Sequence, residues 1–398
     1  MAEAMVGRQR GKMLLKAVAI LGASLLAGCQ TLVPKGPPPP VTRPVEQRPT
    51  RPAPVQPGIP NDHDRDRVAL LVPLTGPNAG VGKSLANATQ MALLDTDAKR
   101  VRITTYDTNQ GAVDAANRAL ADGNKLILGP LLSEDVRAIE PIAQRAHVPI
   151  ITFSNDASVA GDGVYLLGYV PSQAIDRVVD YAHDQGVKNF AGLVPNGLYG
   201  QRASTAFLRS VEDAGGQVLS LQTYDRSSAS VSQAMARLAK NAPYGALLIA
   251  DSGATAAMLA PAAKKASGAG VRLLGTELWN AESSIAGKSA LNGAWFASVP
   301  DTLYRQYAVK YRNRFGAAPY RLSSLGYDAV LLTVRIARDW RPGTDFPERE
   351  LGDPGGFSGI DGAFRFGRDG IAQRALEVQE IRDGRTVVVS PAPASFDK

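Results

Sequence analysis

The chain has 398 residues, 44% of them apolar and 20% charged, with a formal net charge of +7 and a single cysteine, Cys29. One thiol excludes an intramolecular disulfide framework, and the apolar content is ample for two packed domains. The basic excess hints at nucleic acid, but ten basic and five acidic residues lie within the first 67 positions, so the remainder carries only +2. That is too little for the basic footprint a phosphate backbone requires, and no nucleic-acid partner is expected.

In chain order, Arg8, Arg10, Lys12 and Lys16 lead into an apolar run from Leu14 to Leu26, followed by the small residues Ala27 and Gly28. A basic front, a short apolar centre and a small-residue exit are the layout of a secretory signal, and the run is too short to span a bilayer comfortably. Leu26-Ala27-Gly28-Cys29 resembles the lipobox of bacterial lipoproteins. The resemblance implies that residues 1–28 are removed and that Cys29 is acylated on its thiol and its new amino terminus; an ordinary cleaved signal is the alternative. Each buried CH2 contributes about 0.8 kcal/mol, so two or three chains hold a protein durably on a membrane. Gln30, where inner-membrane retention favours Asp, points to the outer membrane, on the periplasmic side.

Residues 29–66 are rich in proline, which fixes φ and removes a backbone donor, so this stretch reads as a disordered tether. In polyproline II at ~3.1 Å per residue it reaches on the order of 90 Å. A Pro-rich recognition motif is the competing reading.

From Arg67 short apolar runs alternate with amphipathic stretches. "RVALLVPL", "RVRITTYD", "KLILGPL" and "HVPIITFS" read as buried strands; between them, the helix containing Val81, Leu85, Ala88, Met91 and Ala92 and the segments "AVDAANRALADG" and "EDVRAIEPIAQRA" have helical spacing. Apolar strands joined by helices of about ten residues imply parallel pairing with both faces covered. The alternation restarts after Tyr165, with "NFAGLVPN", "QVLSLQTYD", "GALLIAD" and "VRLLGTE" as strands. The fold class is therefore α/β: two doubly wound parallel-sheet lobes joined by a multi-strand hinge. The expected boundaries are 67–168 plus 295–345 for the first lobe and 169–294 for the second, with 346–398 a strand pair and tail closing on the lobes and hinge.

"LLVPLTGPNAGVGKSLANATQMAL", "LILGPLLSEDVRAIEPIAQRAHVPIITFSND", "LYGQRASTAFLRSVEDAGGQVL" and "GFSGIDGAFRFGRDGIAQRALEVQEIRDGR" together resemble the type I periplasmic binding proteins of the leucine/isoleucine/valine-binding class. The last stretch carries the most specific pattern, in Gly359, Gly362, Phe364, Phe366, Asp369 and Gly370. Gly275-Thr276-Glu277-Leu278-Trp279 is similar to a segment of the penicillin-binding protein activator lipoproteins, the branch the chain resembles most. The resemblance implies lobes that close on a small polar, amino-acid-like ligand or cell-wall fragment. It also implies, as a protein partner, either a penicillin-binding protein or the permease of an ABC transporter.

By the same resemblance, Leu132, Ser133, Ser154, Asn155 and Asp156 line the cleft from the first lobe, and Tyr199, Asp251, Ser252 and Glu277 from the second. Ser133 and nearby amides would hold a carboxylate, and Glu277 an ammonium group, through charge-assisted bonds. Each has a plainer alternative: Ser133 and Ser154 as helix caps, Tyr199 as a loop closure, Glu277 as a solvated charge. Asp156 departs from the amino-acid binders and would repel a ligand carboxylate.

No catalytic residues, metal or cofactor are expected. "GPNAGVGKS" imitates a phosphate loop, but five residues separate Gly76 from Gly82 where four are needed. His63, His147 and His183 have no metal-ligand spacing, and the only Ser-x-x-Lys, Ser395 to Lys398, ends the chain.

Overall fold

The computed structural model describes residues 64–268, 270–282, 284–393 and 396. The expected signal, the acylation site Cys29 and nearly all of the tether lie outside the described residues.

The first lobe is built on β1 (Asp66–Val72), which pairs in parallel with β2 (Val101–Asp107) on one side and β3 (Leu126–Leu128) on the other. β4 (Ile150–Thr152) and β5 (Val164–Leu166) complete a five-stranded parallel sheet in the order β2-β1-β3-β4-β5. Val68 to Val72 are buried because helices cover both faces: α1 (Ala79–Asp95), and opposite it α2 (Ala112–Ala121) and α3 (Ser133–Arg145). The imitation phosphate loop has a packing explanation. A Cβ at Gly82 would lie 1.9 Å from the Pro73 carbonyl oxygen, so only glycine lets α1 sit this close to the chain leaving β1.

The second lobe repeats the scheme. α4 (Pro171–Asp184), with proline at its permissive first turn, leads to β6 (Asn189–Pro195), α5 (Leu198–Asp213), β7 (Gln217–Tyr224), α6 (Ser228–Lys240), β8 (Ala246–Ile249), α7 (Gly253–Ser267) and β9 (Arg272–Gly275). The repeat extends to the glycine: a Cβ at Gly200 on α5 would lie 1.6 Å from the Pro195 carbonyl oxygen.

β10 (Trp295–Ser298) corrects the sequence reading, which assigned residues from 295 to the first lobe. It pairs in parallel with β9 and antiparallel with β14 (Glu377–Arg382), inside the second sheet. All four of its side chains are buried, and Phe296 and Ala297 face opposite cores of the second lobe, which fixes it there. β15 (Arg385–Ser390) closes that sheet in the order β15-β14-β10-β9-β8-β6-β7.

The chain returns to the first lobe only after Ser298, through α8 (Thr302–Phe315) and α9 (Ser323–Ile336), both against α1. A small antiparallel sheet follows, β11 (Phe357–Gly359), β12 (Gly362–Phe366) and β13 (Ala372–Arg374), and its Phe357, Phe364 and Phe366 join the first-lobe core. Three segments thus cross between the sheets: Leu167 to Val170, Val299 to Asp301, and Ala375 to Leu376. Among the described residues no helix is long and apolar enough to cross a membrane.

Candidate ligand cleft

A cavity of about 370 Å³ lies between the lobes. Its walls are apolar for the most part: Val81, Leu131 and Phe153 from the first lobe, Leu278 and Ala281 from the second, and Val170, Val299 and Leu376 from the three crossings. Because every crossing contributes to the wall, any change in the angle between the sheets alters the cavity, the geometry of hinge closure.

The second-lobe wall is set by Trp279. Its ring is fully buried against Phe296 and lies where a Cβ on Gly275 would collide, 2.2 Å away, while its Nε1 donates to the Asp251 carbonyl oxygen at 3.1 Å. This anchor turns the neighbouring Glu277 and Leu278 onto the cavity. Glu277 accepts a 3.1 Å bond from the Tyr199 hydroxyl, which also bonds to Thr276 Oγ1 at 2.9 Å. Its other oxygen, Oε2, is buried without a partner. Burial pushes the Glu277 carboxyl up to about 7, against the opposing hydrogen bonds from its own amide, Tyr199 and Thr276.

The hinge wall is charged. The Gly359–Gly362 pattern forms the turn between β11 and β12, and a Cβ on Gly359 would fall 2.3 Å from Asp328 Cγ. Glycine there lets the turn approach the carboxylate, so Ile360 N donates to Asp328 Oδ1 at 2.6 Å and Asp361 N to Oδ2 at 3.3 Å. Asp361 is thereby carried into the interior, fully buried. Its carboxylate accepts from Arg321 Nη1 at 2.8 Å, from Ser324 Oγ at 2.8 Å and from the Tyr169 hydroxyl. Burial works against ionisation of Asp361, but the Arg321 and Arg374 guanidiniums hold its carboxyl below the usual range; burial and the neighbouring Asp361 push Asp328 upward. Arg321 stacks over Tyr304 at 3.9 Å and Arg374 over Tyr169 at 4.9 Å, and both arginines, with Tyr169, stand on the cavity wall.

Of the residues expected from sequence, Leu132, Asn155 and Glu277 line this cavity. Ser133 Oγ accepts from Arg137 Nη1 at 3.3 Å on the outer part of α3. Ser154 Oγ accepts from the Asp156 amide at 3.1 Å and Ser252 caps α7 by accepting from Thr255 N at 3.2 Å, and neither lines the cavity. Asp251 is engaged within the second lobe by the Tyr224 hydroxyl at 2.5 Å, the Ser252 amide at 2.7 Å and Arg226 at 3.3 Å. Tyr199 stands behind Glu277 rather than on the cavity wall.

Asp156 does something the sequence did not disclose. Its buried carboxylate is shared by Arg137 of α3, at 2.6 Å, and Arg202 of α5, at 2.5 Å, and so ties the first lobe to the second. Burial opposes ionisation, but the Ser158 hydroxyl and the two arginines hold the Asp156 carboxyl well below its ordinary value. A carboxylate so neutralised no longer repels a ligand anion.

Sequence reasoning also missed Tyr169, Arg321, Asp361 and Arg374. Asp361 was inside the recognised glycine pattern, and each arginine borders an apolar run, "LSSLGYDAVLL" or "ALEV". A guanidinium bordering a buried run is a weak signal, because such side chains usually extend to solvent.

The chain belongs to the periplasmic binding protein family, whose model matches residues 67–385. Two named kinds of protein are among those the chain is similar to. The penicillin-binding protein activator LpoA of Photobacterium profundum is 25% identical over 166 residues, 40% of this chain and 27% of that protein. The solved full-length LpoA of Haemophilus influenzae superposes with a TM-score of 0.64 at 19% identity, over 82% of this chain and 59% of the other. The leucine-binding protein LivK of Thermotoga maritima superposes with a TM-score of 0.62 at 20% identity, over 82% of this chain and 98% of the other. The structural likenesses establish the type I fold. The chain spans about half, or less, of the length of the curated relatives it matches.

Proposed function

We propose that the chain is a periplasmic lipoprotein, anchored through Cys29 to the outer membrane, whose two lobes close on a small polar ligand. In this reading it acts in cell-wall synthesis as an activator of a penicillin-binding protein, with no catalysis of its own. The observation that carries ligand binding is the apolar interlobe cavity bounded by all three crossings and holding buried polar groups. Concave, mostly apolar sites with a few oriented polar groups are what small ligands require. Similarity to LpoA, Gln30 and the long tether support the activator role.

A second reading has its own support. Nearly the whole of LivK is matched, so the chain would serve as the solute-binding component of an ABC transporter for amino acids. Two measurements on the full chain in detergent separate these uses: thermal shift against amino acids and muropeptide fragments, and capture of solubilised penicillin-binding proteins. A ligand at a hundredfold over its Kd adds about 2.7 kcal/mol of stability. Capture of a penicillin-binding protein supports the activator; stabilisation by an amino acid without capture supports the transporter; neither result removes both.

A further inference from the structure

We propose that the α6–α7 face of the second lobe rests on an anionic membrane surface, with the cleft turned away from the bilayer. The inference goes beyond the reading of the cleft and takes from the proposed function only the anchor at Cys29. The seven-stranded sheet separates two unlike faces. α4 and α5, packed together on one side, carry Asp176, Asp180, Asp184, Glu212 and Asp213 among their basic residues. α6 and α7, packed together on the other, carry Arg237, Lys240, Lys264 and Lys265 and no acidic residue. In a parallel sheet each crossover helix returns the chain to the start of the next strand. Both helices therefore bring their basic last turns to the end of the lobe opposite the cleft.

The helix dipole accounts for a cation or two in a last turn, but a face that only meets water mixes both signs, as α4 and α5 do. Arg237, Lys240 and Lys265 are exposed and have no ion pair among the described residues, while Lys264 donates to the Ala290 carbonyl oxygen at 2.9 Å. Beside them the outward stripe of α7 is Ala254, Met258, Pro261 and Ala262, with Met258 75% exposed. Cations around a small apolar strip suit a bilayer interface, where the charges meet headgroups and the apolar groups meet the acyl boundary. The described cavities are lined by other residues, so this face offers no recess for a shaped ligand or a peptide anchor. Long, exposed cations without a recess fit a planar, mobile array of negative charge rather than one acidic protein patch. For a tethered chain each Lys or Arg near such a surface shifts the balance about fivefold toward contact, so the face need not bind lastingly by itself.

The test places a fluorophore on the full chain through one added cysteine at an exposed position: Ala262→Cys on α7, Leu208→Cys on α5 or Val309→Cys on α8. Each is reconstituted in phosphatidylcholine vesicles, with or without phosphatidylglycerol, that contain a nitroxide-headgroup lipid as quencher. The chain without an added cysteine, labelled in parallel, corrects for any free Cys29 thiol. In anionic vesicles quenching at 262 should exceed that at 208 at least about twofold. The excess should vanish in neutral vesicles and in about 1 M salt, where the screening length falls to about 3 Å. Combining Arg237→Gln, Lys240→Gln and Lys265→Gln should remove it in the same way, and the comparison of lipids decides the matter without that variant. Equal quenching at 262 and 208, the strongest quenching at 309, an excess indifferent to lipid charge or salt, or a salt-sensitive dimer in detergent that occludes 262 would each overturn the proposal. Chain that fails to float with neutral vesicles refutes the anchor, and the contrast between positions in anionic vesicles still decides the face.

Discussion

Two polar clusters, one at the carboxyl end of the second sheet and one at the hinge, contain the same kinds of residue and end differently. Around Asp251 the partners are local: Tyr224, Arg226 and the adjacent Ser252 amide come from the second lobe alone, and Arg226 is 76% exposed. Around Asp361 the partners are gathered from three separated stretches, at Tyr169, at Arg321 with Ser324, and at Arg374, and most of their polar atoms are buried. The first cluster finishes a loop. The second keeps buried, unpaired donors beside the cavity at the junction on which the lobes turn.

The largest expected effect breaks this contrast at its centre. Asp361→Ala strands two buried guanidiniums, so it should cost about 3–5 kcal/mol in urea unfolding. Asp251→Ala frees one tyrosine hydroxyl and an exposed arginine, and about 1–3 kcal/mol is expected. Equal losses would mean that the hinge cluster is no more buried in solution than the loop cluster. Next comes Gly359→Ala, whose methyl would overlap the Asp328 carboxylate. Displacing the turn should cost about 1–3 kcal/mol and weaken ligand binding together with stability, because Asp361 moves with it.

The lobes were legible from sequence for a physical reason. A strand such as Ala69 to Val72, buried on both faces, has to be apolar throughout, and helices between such strands force parallel crossings. β10 was misassigned because "AWFASV" reads as a buried strand for either sheet; only its register with Leu274 and with Glu377 to Glu380 says which. The site was less legible. Leu132, Asn155 and Glu277 follow strands or open helices, where the fold places ligands. Arg321 and Arg374 reach the same cavity from residues far apart in the chain, and their pairing with Asp361 depends on a glycine chosen to clear Asp328. No local pattern encodes a contact of that kind.

Glu277 sharpens the contrast through pH. Its folded value, about 7, lies above the ordinary 4.5, so the folded state holds a proton that the unfolded state has released between those values. Its stabilising contribution is therefore complete below about 4.5 and is lost as the pH rises toward 7. Glu277→Gln should flatten the fall in unfolding temperature over that window relative to the wild type, a difference that cancels the other titrating groups. An unchanged slope would place the Glu277 carboxylate in water.

The smallest effect concerns the tie between the lobes. Asp156 is depressed rather than raised, so its contribution is present above about pH 3.8 and is lost only as the pH falls below that. Arg202 is a quarter exposed, which tempers the interlobe half of the pair, and Arg202→Gln is expected to cost about 1 kcal/mol or less in unfolding. Its consequence lies in the angle between the lobes. Removing one bridge that exists only when they meet should shift the unliganded population toward open forms, detectable as a larger radius of gyration in X-ray scattering at neutral pH, while a saturating ligand restores the compact value. Arg137→Gln, whose bridge stays within the first lobe, should leave the radius unchanged; if both variants expand the protein alike, Asp156 orders its own loop instead of holding the lobes together.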